Sequence, residues 1–221
     1  MLSSDVVIER FVLSDFQENA YVISTSRSSD CVIVDPGMEP EVLIRSIREK
    51  QLTPQAILIT HGHWDHIGGV SQIKAQWPDT QVIIGKNERD KLTDPFGNLS
   101  AHFGFSATTC DSDRELQDGE EFCVAGVSFK ALEVPGHSRG HLVYILETDD
   151  RPLVFCGDLI FAGGVGRTDF ADGDMKSLLT SIFEKIFTLP DDARLLPGHG
   201  PATTVISEKK HNPYLNSFSE N

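Results

Sequence analysis

The sequence predicts a single α/β domain, and three observations carry that reading. The chain has 221 residues, enough for one sizeable core and too few for two. Short apolar runs rich in β-branched and aromatic side chains alternate with stretches of helical period. Several of the runs stop at Pro-Gly, Gly-Asp or His, so tight turns and polar groups gather at strand ends.

Val6–Leu13 and Ala20–Ser24 read as strands, and Cys31–Asp35 as a third, stopped by Pro36-Gly37. Glu39–Lys50 changes period: Val42, Leu43, Ile44 and Ile47 can share a face, so this is an amphipathic helix. Ala56–Thr60 is a buried strand that feeds into His61. A helix is expected from about His66 to Trp77, where Pro78 ends it. Val82–Ile84 is a short strand. From Gly85 to Leu116 the mixture of Pro, Gly and aromatic residues predicts an irregular surface insertion beside a cleft. Asn98-Leu99-Ser100 within it matches a glycosylation sequon that we take as chance. Glu120–Val134 predicts a hairpin turning at Ala125-Gly126. Strands follow at Leu142–Leu146 and Leu153–Cys156, a helix at Asp174–Phe187 and a last strand at Ala193–Leu196.

Composition narrows the function. With 39% hydrophobic and 24% charged residues, the chain is globular. Its net charge of −14 repels phosphate backbones and anionic lipid, which argues against nucleic-acid or membrane partners. No run approaches the roughly 20 apolar residues of a membrane helix. No basic leader precedes an apolar segment at the N-terminus, so a cytoplasmic setting is expected. Cys31, Cys110, Cys123 and Cys156 form no C-x-x-C pair and read as buried free thiols of a reducing compartment.

The chemistry concentrates in His61-Gly62-His63-Trp64-Asp65-His66. Imidazole and carboxylate suit zinc and its first-row neighbours, and four such groups in six residues are too crowded for one ion. His137 and His199 each follow Pro-Gly at a strand end, and Asp158 follows another strand. Five histidines and two aspartates make a donor set for two ions with positions left for water. A structural zinc site would be closed, often with Cys, whereas this set has none. The pattern points to catalysis.

The segments THGHWDHIGG, PGHSRGH, GDLIFAGGVGRTDF and LPGHGP, in this order, resemble the metallo-β-lactamase superfamily, and within it the glyoxalase II-like branch. The resemblance runs from about Val6 to Pro213. It implies a four-layer αβ/βα sandwich of two mixed sheets with outer helices, and metals in a cleft at one edge. By position it implies His61, His63 and His137 as ligands of one metal, and Asp65, His66 and His199 as ligands of a second. Asp158 would bridge the two, with Asp65 and Asp158 in catalytic as well as ligating roles. The metals would be two divalent ions, zinc by expectation, with iron and manganese accepting the same donors. Two such ions, two carboxylates and one hydroxide leave a residual positive charge, which favours a bridging hydroxide as nucleophile. Asp35 and His141 are candidates for orienting the ligands.

Glyoxalase II enzymes hydrolyse S-lactoylglutathione, so the expected activity is thioester hydrolysis and the expected partner a glutathione thioester. The segment after the bridging Asp carries a basic residue and a Tyr in those enzymes. Here Arg167 keeps the basic role, for pairing a glutathione carboxylate, while Asp169 stands where Tyr is found. Only 22 residues follow His199, so one domain over 1–221 is expected, without the helical glutathione-binding domain of the longer enzymes. The pocket would then draw on Lys86–Phe105 and Arg139. The alternatives are a mono-iron persulfide dioxygenase, whose members share a GRTDF-like segment, and a lactonase or β-lactamase.

Overall fold

The computed structural model describes residues 5–216. The absence of a leader read at residues 1–4, and the last five residues of the expected unit, lie outside the described residues. Two sheets face each other. The first orders its strands β1 (Val6–Leu13), β2 (Glu18–Thr25), β3 (Asp30–Val34), β4 (Thr53–Ile59), β5 (Gln81–Gly85) and β6 (Arg114–Leu116). Its first three strands are antiparallel neighbours, and β3 to β6 run parallel. The second sheet is built from β7 (Glu121–Val124), β8 (Val127–Glu133), β9 (Leu142–Leu146), β10 (Leu153–Gly157), β13 (Arg194–Pro197) and β14 (Thr203–Thr204). In it only β10 and β13 pair in parallel. A ribbon of β11 (Ile160–Phe161) and β12 (Gly164–Val165) stands apart.

Three apolar clusters define the layers. Ile23, Val34, Leu58, Phe129, Tyr144 and Phe155 interlock between the sheets. Strand residues such as Ile33 and Ile57 pack outward against α1 (Glu41–Glu49) and α3 (Val70–Gln76). Val143 and Val154 pack outward against α4 (Met175–Ser181) and α5 (Val205–His211). Inner strands covered on both faces carry continuous apolar runs, which is why LVYIL of β9 is buried throughout. The result is the four-layer αβ/βα sandwich of two mixed sheets that the resemblance implied.

Several expectations needed correction. The helix expected from His66 to Trp77 is two: α2 (Trp64–Ile67) and α3, separated at Gly68-Gly69. The helix expected over Asp174–Phe187 is α4 followed by a π-helical turn, Ile182–Ile186. Segment 85–116 is not merely a surface insertion. It contains 3-10 turns at Arg89–Leu92 and Ser100–Phe103 as well as β6, and Glu88, Lys91, Leu92, Asn98 and Ser100 are buried. Asn98 spends its side-chain amide on the Lys91 and Ala107 carbonyls. All four cysteines are free, but only Cys31 and Cys156 are buried, while Cys123 is exposed. Strands β11, β12 and β14 and helices α5 and α6 (Pro213–Asn216) had no counterpart in the sequence reading. Among the described residues, no helix is long and apolar enough to cross a membrane.

Candidate metal centre

The chemistry-bearing residues gather where strands of both sheets end. Asp35 follows β3, Thr60 and His61 follow β4, His137 lies in the turn after β8, Asp158 follows β10 and His199 follows β13. Between His61 and His66 the backbone changes form: His63 is extended at φ −69° and ψ 146°, and Trp64 opens α2. That switch aims His61 and His63 to one side and places Asp65 and His66 on the helix.

Two clusters result. His137 Nε2 lies 3.2 Å from His61 Nε2 and 3.0 Å from His63 Nδ1. In the second, Asp65 Oδ2 lies 3.4 Å from His199 Nε2 and 3.9 Å from His66 Nε2. Asp158 stands between them. Its Oδ1 is 3.4 Å from His66 Nε2, and its Oδ2 is 3.8 Å from His137 Nε2 and 3.7 Å from His199 Nε2. Each of the trios His61–His63–His137, His61–His66–Asp158 and Asp65–His66–His199 offers ligand atoms within 4.8 Å of one another.

The donor set fits divalent metal on three counts. Tetrahedral ligands at zinc–nitrogen distances of about 2.0–2.1 Å stand roughly 3.3 Å apart, close to the separations in the three-histidine cluster. His66 Nε2 and Asp158 Oδ1 are buried with no hydrogen-bond partner, a costly arrangement unless a cation satisfies them. The imidazoles are also oriented as ligands. His137 Nδ1–H donates to the Arg167 carbonyl at 2.8 Å, leaving Nε2 with its lone pair toward the cluster. Asp35 accepts from the Thr60 amide and hydroxyl at 2.8 and 2.6 Å and pairs with His66 Nδ1 at 3.0 Å. The same Thr60 oxygen lies 3.1 Å from His61 Nδ1, so His61 also turns Nε2 inward.

Electrostatics divides the two clusters. Burial and the neighbouring histidines hold His61 and His63 well below the usual imidazole range, and burial lowers His137. Burial pulls His66 and His199 down too, but the facing carboxylates Asp158 and Asp65 outweigh it and raise both. Burial would raise Asp158, yet His66, His199 and His137 hold it far below the usual carboxylate range.

The remaining predicted residues fall into two groups. Asp35 bonds His66 directly. His141, by contrast, is buried with both ring nitrogens unpartnered, and packs its ring 4.8 Å from that of His61 without bonding it. Arg167 and Arg139 line a cleft of about 580 Å³, together with Phe96, Leu99, Phe103 and Phe170. Phe170 walls this cleft from the centre, with its ring 5.0 Å from that of His63 and 5.6 Å from that of His137. The Arg167 guanidinium lies 4.4 Å over Phe170 and pairs with Asp169 through two bonds of 2.7 Å. A larger groove of about 890 Å³, lined by Thr25, Arg27, Phe122 and Lys130, opens at the other end of the strands and holds none of the clustered ligands.

Sequence reasoning passed over Thr60, Phe170, Glu18 and a buried pair, Glu88 and Lys91. Glu18 is fully buried with both carboxylate oxygens unpartnered, and burial pushes it well above the usual range. Its position at the start of a strand gave no hint of this. The side chain lies against Gly37, the glycine of the turn after β3.

Comparison with known proteins agrees with this fold. A profile of the metallo-β-lactamase superfamily matches residues 13–199. The chain is 40% identical to a probable metallo-hydrolase, YqgX of Bacillus subtilis, over 95% of this chain and 98% of that one. It is 39% identical to the hydroxyacylglutathione hydrolase GloC of Haemophilus influenzae, over 96% and 99%. Among solved structures, the BLEG-1 B3 metallo-β-lactamase superposes with a TM-score of 0.90 at 37% identity, covering 95% of this chain and 99% of that one. TTHA1623, solved in a di-iron-bound form, does so with a TM-score of 0.79 at 34% identity, covering 94% and 100%.

Proposed function

The chain belongs to the metallo-β-lactamase superfamily, and on that premise we propose that it is a two-metal hydrolase of thioesters whose substrate class is acyl-glutathiones such as S-lactoylglutathione. The observation that carries the proposal is Asp158: one of its oxygens faces His66, and the other faces His137 and His199. A carboxylate shared in this way suits two ions better than one, which weighs against a mono-iron dioxygenase. His61, His63 and His137 would hold one ion and Asp65, His66 and His199 the other, with Asp158 between. When bound, two divalent ions supply Lewis acidity that brings the pKa of a water to near neutral and stabilises an oxyanion. Zinc is the proposed metal, with iron the alternative raised by the di-iron relative.

The chain's own residues do the rest. Asp35 and Thr60 fix His66 and His61, and the Arg167 carbonyl fixes His137, so three ligand rings are oriented before substrate arrives. Phe170 keeps the trio dry on the cleft side. The cleft accepts the thiol portion, and the Arg139 and Arg167 guanidiniums offer cationic partners for its carboxylates. A thiol leaves as thiolate near neutral pH, so no acid is required of the protein. The likeness to GloC over nearly both whole chains supports glutathione as the thiol. Four free cysteines support a reducing, cytoplasmic setting.

The test is hydrolysis of S-lactoylglutathione by purified protein, with metal counted on the same sample. Turnover with about two metals per chain is expected. No turnover with a single iron, and oxygen uptake on glutathione persulfide, would replace this reading with the dioxygenase. Ring opening of a lactone or β-lactam without thioester turnover would replace it with a ring-opening hydrolase.

A further inference from the structure

Beneath the three-histidine cluster lies a buried ion pair that is no part of the ligand set, although its lysine also lines the substrate cleft. Glu88 is 0% exposed and Lys91 5%, and both sit on segment 85–116, which carries none of the ligands. Glu88 Oε2 accepts the Gly62 amide at 2.9 Å, while Oε1 accepts the Gly140 amide at 2.8 Å and the Ser138 hydroxyl. Lys91 Nζ stands 3.2 Å from Glu88 Oε2 and donates to Asp172 at 2.6 Å and to Ser138 Oγ.

Each of these partners belongs to a loop that shapes the first cluster. Gly62 lies between His61 and His63, and Ser138 directly follows His137. Asp172 lies two residues beyond Phe170, which packs on both His63 and His137. The Lys91 stem presses on Gly62 so closely that a Cβ there would stand 2.5 Å from Lys91 Cβ. One pair of charges thus pins three loops that have no regular secondary structure of their own at these positions. The Asp65–His66–His199 cluster takes its support elsewhere, from Asp35.

We propose that Glu88 and Lys91 are positioning residues that hold His61, His63 and His137 in ligand geometry and so set the affinity of that half of the centre for its divalent cation, independently of the other half. The physical reason is preorganisation. Without the pair, three loops would have to be ordered by the ion itself, and that ordering would subtract from binding. The inference rests on the three histidines being ligands and not on which substrate the enzyme cleaves.

The experiment is titration of metal-free protein with zinc against a chromophoric chelator, comparing wild type with Glu88→Gln/Lys91→Met and with Ser138→Ala. The double variant removes both charges of the pair at similar volume, so neither is left buried without the other, and Asp172 keeps the Arg139 amide as a donor. The His63→Ala variant identifies which zinc equivalent belongs to the three-histidine cluster. In the double variant that equivalent should weaken about 10–100-fold, with the other unchanged, and Ser138→Ala should weaken the same equivalent by less. Unchanged affinity for both equivalents, or equal weakening of both, would overturn the proposal. If circular dichroism shows the double variant unfolded, Ser138→Ala decides alone by the same criterion. A wild-type protein with no equivalent sensitive to His63→Ala would overturn the ligand assignment, and this inference with it. Thioester turnover plays no part, so failure of the substrate reading leaves the outcome legible.

Discussion

Asp158 faces three imidazoles at once, and that position makes its two oxygens unequal to any neutral substitute. Asp158→Asn would keep the size and lose the charge that both halves share. Stabilisation of several kcal/mol should go with it, so kcat/KM on a thioester should fall at least about 100-fold, with metal content dropping below two. Retained turnover would exclude the shared-carboxylate mechanism. A non-ligand can be as sensitive. A Cβ on Gly198 would stand 2.4 Å from Asp158 Oδ1 and 2.5 Å from His66 Cε1. Gly198→Ala should therefore impair metal binding although no donor is removed, and metal content measured after dialysis would reveal it. Arg167 offers a pair of opposite predictions. Its guanidinium is engaged by Asp169 in an exposed pair, so Asp169→Asn should free it and lower KM for a glutathione thioester. Arg167→Ala should raise that KM more than the KM of a thioester without carboxylates. Equal effects on both substrates would remove Arg167 from the thiol site. The clustered side chains were legible in the sequence because His and Asp recur together where several apolar runs stop, and His61-Gly62-His63-Trp64-Asp65-His66 crowds four donors into six residues. Glu88, Lys91 and Glu18 were not, because a charged residue in an irregular segment or at a strand start reads as solvated until tertiary contacts bury it.

Elements were legible where a single period persisted. Val6–Leu13 and Leu142–Leu146 run as read, and the Ala125-Gly126 turn closes β7 on β8 with φ of 51° and 73°. One misread element was the helix after His66, whose apolar spacing continues across Gly68-Gly69 although the helix does not. The cause is a neighbour distant in sequence: the turn after β3 packs into the gap, and the Gly69 amide donates to the Pro36 carbonyl at 2.7 Å. A Cβ on Gly69 would stand 2.5 Å from the Gly37 carbonyl oxygen. That same turn carries Asp35, the partner of His66, so the break in the helix and the orientation of the His66 ring are one packing event. Gly69→Ala should cost about 1–3 kcal/mol by overpacking. The melting temperature should fall by roughly 2–4 °C per kcal/mol, and the second cluster should lose metal before the first. An unchanged melting temperature would mean that the turn yields without cost.

At the scale of the whole molecule, the centre joins what the core alone leaves separate. The two sheets meet through Tyr21, Phe129, Tyr144 and Phe155, but His61, His63, Asp65 and His66 follow the first sheet while His137, Asp158 and His199 follow the second. An ion held by ligands from both sheets binds the folded chain and not the unfolded one, so it should stabilise the sandwich as a unit. The chain also carries a net charge of −14, and divalent cations placed among Asp65, Asp158 and Asp35 relieve part of the repulsion that a compact acidic chain stores. Metal at 100 times its dissociation constant contributes about 2.7 kcal/mol per site. For a chain of this length that corresponds to a rise of about 5–10 °C per site. Calorimetry of chelator-treated protein, before and after zinc is restored, should show that rise and its reversal. His63→Ala should keep only the part of it owed to the Asp65–His66–His199 cluster. Equal melting temperatures with and without metal would mean that these side chains do not bind a cation across the two sheets, and the two-metal reading would fall with them.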